Sequence, residues 1–140
     1  MAEQTYSIKF DGYWRDQNKA GIPAHSGIYC VYECTHNVQE KKVSLSKLIY
    51  IGEAEDVCVR VANHEKYDDW KRHVRAGNEL CFSFGGVETT NRARCEAAMI
   101  FKYKPPENTE YTDSFPFDRT TINLSGDIAL LTASFTVNRT

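Results

Sequence analysis

Apolar residues along the chain fall into short alternating runs and a few runs at helical spacing. Residues 27 to 32 (Gly-Ile-Tyr-Cys-Val-Tyr) and 48 to 52 (Leu-Ile-Tyr-Ile-Gly) are rich in β-branched and aromatic residues, which suit a half-buried pleated surface and predict two strands. The connector between them, 33 to 47, holds Thr35, His36, Asn37, Glu40, Lys41 and Lys42, so a polar loop closing an antiparallel hairpin is the simplest connection. Upstream, Tyr6, Ile8 and Phe10 alternate ahead of the turn dipeptide Asp11-Gly12, which predicts an added edge strand ending there. Leu80 to Phe84 predicts a third core strand, and Gly85-Gly86 lets the chain turn after it. Near the C-terminus Ile128, Leu130 or Leu131, Ala133, Phe135 and Val137 approximate alternation and predict a terminal strand.

Three segments carry helical spacing. Val57 and Val61, with the small Cys58 and Ala62, predict a helix capped by Glu55 or Asp56 and ending between His64 and Tyr67; Arg60 and His64, four apart, would share another of its faces. A second helix is predicted from Asp68 as N-cap through Ala76 to a stop at Gly77, with Trp70 and Val74 inward. Its Lys71, Arg72 and Arg75 either contact phosphates or form a solvated face. A third starts near Thr89 or Thr90, lays Ala93, Ala97, Ile100 and Phe101 in one apolar stripe, turns Glu96 towards the sheet edge and stops at Pro105-Pro106. The expected fold class is therefore α/β, with a small central antiparallel or mixed β-sheet of three core strands, extra terminal strands and flanking α-helices.

Composition narrows this picture. A chain of 140 residues is the size of a single domain able to bury its own core. With no signal-like N-terminal segment and no apolar stretch of membrane-spanning length, a soluble cytoplasmic protein is expected. The five cysteines are odd in number and lack paired ligand spacing, which predicts free, largely buried thiols. Seventeen Lys and Arg against nineteen Asp and Glu give a net charge of −2, unfavourable for tight nonspecific binding to a polyanion. Locally the balance reverses, because between residues 91 and 104 Arg92, Arg94, Lys102 and Lys104 oppose only Glu96.

The order Gly27-Ile28-Tyr29, Tyr50-Ile51-Gly52, Arg60 eight residues beyond that glycine, His64 one turn later and Glu96 downstream resembles the GIY-YIG nuclease family, over roughly residues 26 to 108. The resemblance implies a DNA endonuclease that hydrolyses phosphodiester bonds with one divalent cation, Mg2+ or Mn2+. By the same resemblance Glu96 is the metal ligand, Arg60 braces the transition-state charge, Tyr29 takes the proton of the attacking water, and Tyr50 and His64 orient the participants. Gly27 and Gly52 complete the two tripeptides. His73 stands where some members carry a second histidine, and Lys104-Pro105-Pro106-Glu107-Asn108 is similar to a Lys-Pro-x-x-Asn ending in which Asn108 would brace the site. Lys71, Arg72, Arg92, Arg94 and Lys104 are the expected DNA contacts.

Two departures from the family pattern stand out. The 20 residues from 30 to 49 between the tyrosines are about twice the usual interval, which implies a longer hairpin. Glu53, Glu55 and Asp56 follow Gly52 where small or basic residues are usual, so they would repel a phosphate or recruit a further cation. No targeting module accompanies the nuclease-like segment, and selectivity would then come from a targeting protein partner or an unusual DNA shape. The competing class is a non-catalytic module that keeps the fold and binds nucleic acid or protein.

Overall fold

The structure, a computed structural model describing residues 2–140, is built around a long hairpin. Strands β2 (Gly27–Asn37) and β3 (Lys42–Ala54) pair from Gly27 opposite Ala54 out to Asn37 opposite Lys42, so only residues 38 to 41 turn the chain. The polar connector expected as loop is thus mostly ladder. Pairing satisfies backbone groups that a loop would leave to water, and the polar side chains tolerate the exposed end of the sheet.

β4 (Glu79–Gly86) lies antiparallel against the other side of β2, so the three expected core strands are neighbours. β1 (Gln4–Arg15) extends the sheet beyond β4. The full order is β3-β2-β4-β1-β5-β6, with β5 (Thr120–Gly126) parallel to β1 and β6 (Ser134–Val137) antiparallel to β5. The α/β class is as expected, in the form of a mixed six-stranded sheet.

Several boundaries differ from expectation. β1 is an internal strand, and Asp11-Gly12 marks a register shift within it instead of a turn. Only residues 134 to 137 of the predicted terminal strand are extended in the sheet. α1 (Val57–Ala62) is capped by Asp56, whose carboxylate accepts the Val59 N–H at 3.0 Å, but it stops before His64. α2 is one short turn, Tyr67–Lys71, with Asp68 inside it and not at its cap. Beyond it the backbone continues in three-residue turns, from His73 N–H to Trp70 O and from Val74 N–H to Lys71 O. α3 (Arg92–Tyr103) follows a single 3-10 turn at Thr89–Asn91, and its buried face runs through Arg94, Cys95, Ala97, Ala98, Met99 and Ile100, leaving Ala93 exposed.

Strand alternation divides the interior. Ile28, Cys30 and Tyr32 join Phe10, Ile51, Met99 and Phe115 on the α3 side of the sheet. Tyr29 and Val31 join Ile49, Val57, Val61, Trp70 and Phe82 on the side covered by α1 and α2. Among the described residues the five cysteines are free, four of them buried, and no helix is long and apolar enough to cross a membrane.

Candidate active site

Tyr29 on β2 sits directly opposite Gly52 on β3. A Cβ at Gly52 would lie 2.3 Å from both Cζ and Oη of Tyr29, so the ring crosses β3 only because position 52 has no side chain. Gly27 has a comparable role on the other side of β2, where a Cβ would meet the Gly85 carbonyl oxygen at 2.3 Å. The two tripeptides are therefore one packing unit.

Around Tyr29 the remaining aromatic groups close in. Its ring centroid is 6.2 Å from that of Tyr50, and the His64 ring stands edge-on to both, at 6.0 and 5.4 Å. Trp70 supports the imidazole from 4.4 Å. His64 reaches this position from the turn after α1. Its Nδ1 accepts the Lys66 N–H at 3.0 Å, which assigns the ring proton to Nε2, a buried atom with no hydrogen-bond partner among the described residues. Burial and the adjacent Arg60 push its pKa down to about 4, so the imidazole is neutral near pH 7 and offers Nε2–H as a donor.

Arg60 projects from α1 into a two-pronged ion pair with Glu65, at 2.6 and 2.8 Å. This bond holds the Glu65 carboxyl at about 2. The Arg60 charge also favours the phenolates of Tyr29 and Tyr50, but burial outweighs it at both. Tyr29 is raised well above the ordinary phenol range, and Tyr50 is pushed up to about 12. Proximity to Arg60 alone does not make Tyr29 acidic.

Glu96 enters from α3, on the opposite side of the β3 edge. It lines a cleft of about 110 Å³ together with Tyr50, Lys66, Asn108 and Glu110. Burial, then the negative charges of Glu53 and Glu110, push its carboxyl up to about 8. No group of three or more His, Cys, Asp or Glu side chains is arranged to share a metal ion among the described residues. What fits a cation here is one carboxylate whose ionisation is opposed by its surroundings and would be favoured by a nearby positive charge. The remaining coordination would fall to water and phosphate, as suits Mg2+ or Mn2+.

The acidic residues after Gly52 have partners. Arg92 reaches Glu53 at 3.2 Å and Glu55 at 2.5 Å and also donates to Ser26 Oγ, while Asp56 caps α1. Asn108 seals the outer edge of β3 by accepting from Ile51 N–H at 3.0 Å and donating to Ile51 O at 2.9 Å. His73 lies outside the tyrosine cluster, between Lys47 Nζ at 2.8 Å and Glu107 at 2.6 Å.

Three of the five expected DNA contacts point elsewhere. Arg94 is buried and donates to Thr120 Oγ1 and to the carbonyl oxygens of Ala2, Asp118 and Arg119. Arg92 is held by Glu53 and Glu55 as above. Lys104 donates to Thr112 O and lies over the Phe101 ring. Lys71 and Arg72 are exposed, with Arg72 paired to Asp69 at 2.7 Å. The positive excess between 91 and 104 is thus drawn largely into internal bonding. Sequence reasoning did not single out Glu65 or Glu110; their proximity to Arg60 and Glu96 arises from turns whose course no local pattern specifies.

The chain matches no protein-family model, no curated protein and no solved structure at a significant level.

Proposed function

We propose that the chain is a divalent-metal-dependent DNA endonuclease that hydrolyses phosphodiester bonds at a GIY-YIG-type site. The observation supporting this most directly is the convergence of Tyr29, Tyr50, Arg60, His64 and Glu96 at one edge of β3, from β2, β3, α1 with its following turn, and α3. Phosphodiester hydrolysis requires an activated water, neutralisation of charge on the nonbridging oxygens and help for the departing 3′ oxygen. Arg60 supplies a planar cation for the nonbridging oxygens once it exchanges Glu65 for phosphate. His64, neutral and buried, stands edge-on to Tyr29 and Tyr50 and with Tyr50 orients the participants. Tyr29 receives the proton of the attacking water; its raised pKa means that the ionised fraction, and with it the rate, climbs with pH above neutrality. A divalent cation held by Glu96 would polarise the scissile phosphate.

One observation favours a second reading, a module that binds nucleic acid or protein without cleaving: Arg60 is already satisfied by Glu65. The deciding experiment is nicking of supercoiled DNA in Mg2+ or Mn2+ against a chelator control. Parental nicking that is lost in Glu96→Ala, with unchanged thermal unfolding, is expected. Absence of cleavage on supercoiled, linear, single-stranded and branched DNA, together with retained DNA binding, would favour the second reading.

A further inference from the structure

Beside the cleft lies a larger depression of about 440 Å³, walled by Glu33, Ser46, Lys47, Arg72, His73 and Arg75. Register connects it to the site: Lys47 is opposite Glu33 and Tyr50 is opposite Val31. Glu33 and Val31 are two apart on β2, so both cross-strand pairs share one face of the sheet. A register shift between Val31 and Tyr32 is what lets Lys47 and Tyr50, three apart on β3, do so. Two to three strand residues at about 3.3 Å each separate them by roughly 7–10 Å. That is short enough for one nucleic-acid strand to lie over both places at neighbouring phosphates.

In the lining itself Lys47, Arg72 and Arg75 outnumber Glu33, while Asp69 pairs with Arg72 and Glu107 with His73 at its margin. Its cations are also held in place. The Glu33 carboxylate, its side chain only 2% exposed, accepts the Arg75 backbone N–H at 2.9 Å, the Arg75 Nε–H at 3.0 Å and Asn78 Nδ2 at 2.7 Å. Arg75 is therefore gripped at its inner nitrogen, and its side chain remains 71% exposed with the two terminal nitrogens free for an outside acceptor. Arg72 is tethered through one terminal nitrogen to Asp69 and is 77% exposed. Lys47 donates to His73 Nδ1, which leaves His73 Nε2–H to donate to Glu107, a residue that also lines the Glu96 cleft. A continuous set of contacts runs from the depression to the cleft.

The geometry points to a phosphate-backbone subsite in which Lys47, Arg72 and Arg75 hold the nucleic-acid strand at a phosphate neighbouring the one at the Glu96 cleft, with Glu33 and His73 as positioning residues. Fixed guanidinium forks suit paired hydrogen bonds to phosphate oxygens, and a lysine beside them adds a point charge. The location relative to a scissile phosphate rests on the endonuclease reading; the binding itself does not.

The test measures anisotropy of a short fluorescent duplex over a salt series, in chelator so that nothing is cleaved. Arg72→Ala and Lys47→Met each lower the slope of log K against log salt by about 0.9 to 1, the signature of one lost phosphate contact. Lys42→Ala, near the hairpin tip, leaves the slope unchanged. These variants spare the Glu33–Arg75 pair, so the measurement does not depend on a change that strands a buried carboxylate. Parental slopes in both variants would overturn the subsite even if the protein cleaves DNA. Slope losses in a protein that fails to cleave with either metal would leave the subsite standing and remove the endonuclease reading. Displacement of the duplex by polyglutamate at equal charge concentration would identify a general acidic-polymer surface and overturn the phosphate assignment.

Discussion

Replacing Gly52 with alanine tests the central packing claim, because it perturbs Tyr29 without touching it. The new Cβ would lie 2.3 Å from Cζ and Oη of Tyr29, more than 1 Å inside ordinary contact, so the ring has to move. Little room exists for that movement, since the residue is 1% exposed and faces Tyr50 and His64. Overpacking of this kind costs about 1–3 kcal/mol, partly offset by the roughly 0.5–1 kcal/mol that alanine gains over glycine in chain entropy. A net loss of about 1–2 kcal/mol, divided by a urea dependence of about 1–3 kcal/mol/M, lowers the unfolding midpoint by roughly 0.3–2 M. A displacement of about 1 Å at a reacting group also costs about 10² in rate. The diagnostic measurement is the double variant: in a Tyr29→Ala background the clash partner is gone, so Gly52→Ala should cost nothing further. An equal midpoint loss in both backgrounds would refute the coupling.

Arg60→Ala should slow cleavage by roughly 10² to 10³, the scale for losing one preorganised donor, while Glu65→Gln, which weakens the competing grip, should raise kcat/KM; steady-state nicking kinetics on supercoiled DNA checks both. Arg94→Ala should cost about 1–3 kcal/mol by urea titration, because it strips the buried Thr120 hydroxyl and the part-buried Asp118 and Arg119 carbonyls of a charged donor, yet should leave duplex affinity at the parental value. His64 has a folded pKa of about 4 against about 6.5 unfolded, so its contribution is complete above pH 6.5 and is lost as pH falls towards 4. Unfolding midpoints at pH 7 and 4.5 should therefore fall less steeply in His64→Gln than in the parent, by an amount on the order of 2–3 kcal/mol.

Where a residue's role was set by its immediate neighbours, the sequence was readable. Ile8 and Phe10, or Tyr29 and Val31, alternate strictly enough to place their strands, and Pro105-Pro106 ends α3 one residue after Lys104 takes a left-handed conformation. β5 escaped notice because its inward positions are Thr120, Ile122 and Leu124, and a buried threonine interrupts the apolar signal until Arg94 is known to bond its hydroxyl. Long-range pairing likewise turns Arg92 and Arg94 inward. Arg92 and Arg94 look like a basic surface in one dimension, but their partners Glu53, Glu55 and Thr120 lie 26 to 39 residues away along the chain. His64 illustrates the intermediate case: its spacing from Arg60 suggested a shared helix, whereas α1 ends at Ala62 and a turn brings the imidazole to the tyrosines.

The acidic residues around the site are more consistent with phosphate recognition than their number suggests. Arg92 offsets one of the two charges of Glu53 and Glu55, Arg75 that of Glu33, and Arg60 that of Glu65, each across a bond of 3.2 Å or less. Glu96 is kept largely protonated near pH 7 by burial and by Glu53 and Glu110, and His64 is uncharged there. The unliganded site consequently carries less negative charge than its count of acidic residues, and the groups able to respond to a polyanion are those whose present partner can be exchanged. Arg60 is one, because Glu65 is exposed and water can take over its solvation when the guanidinium turns to phosphate. Arg92 is not, since it joins β3 to the start of α3 from a side chain only 13% exposed. If the chain does bind nucleic acid as proposed, phosphate affinity would rest on the exchange at Arg60 and on the cations of the neighbouring depression, and the net charge of −2 would not limit it.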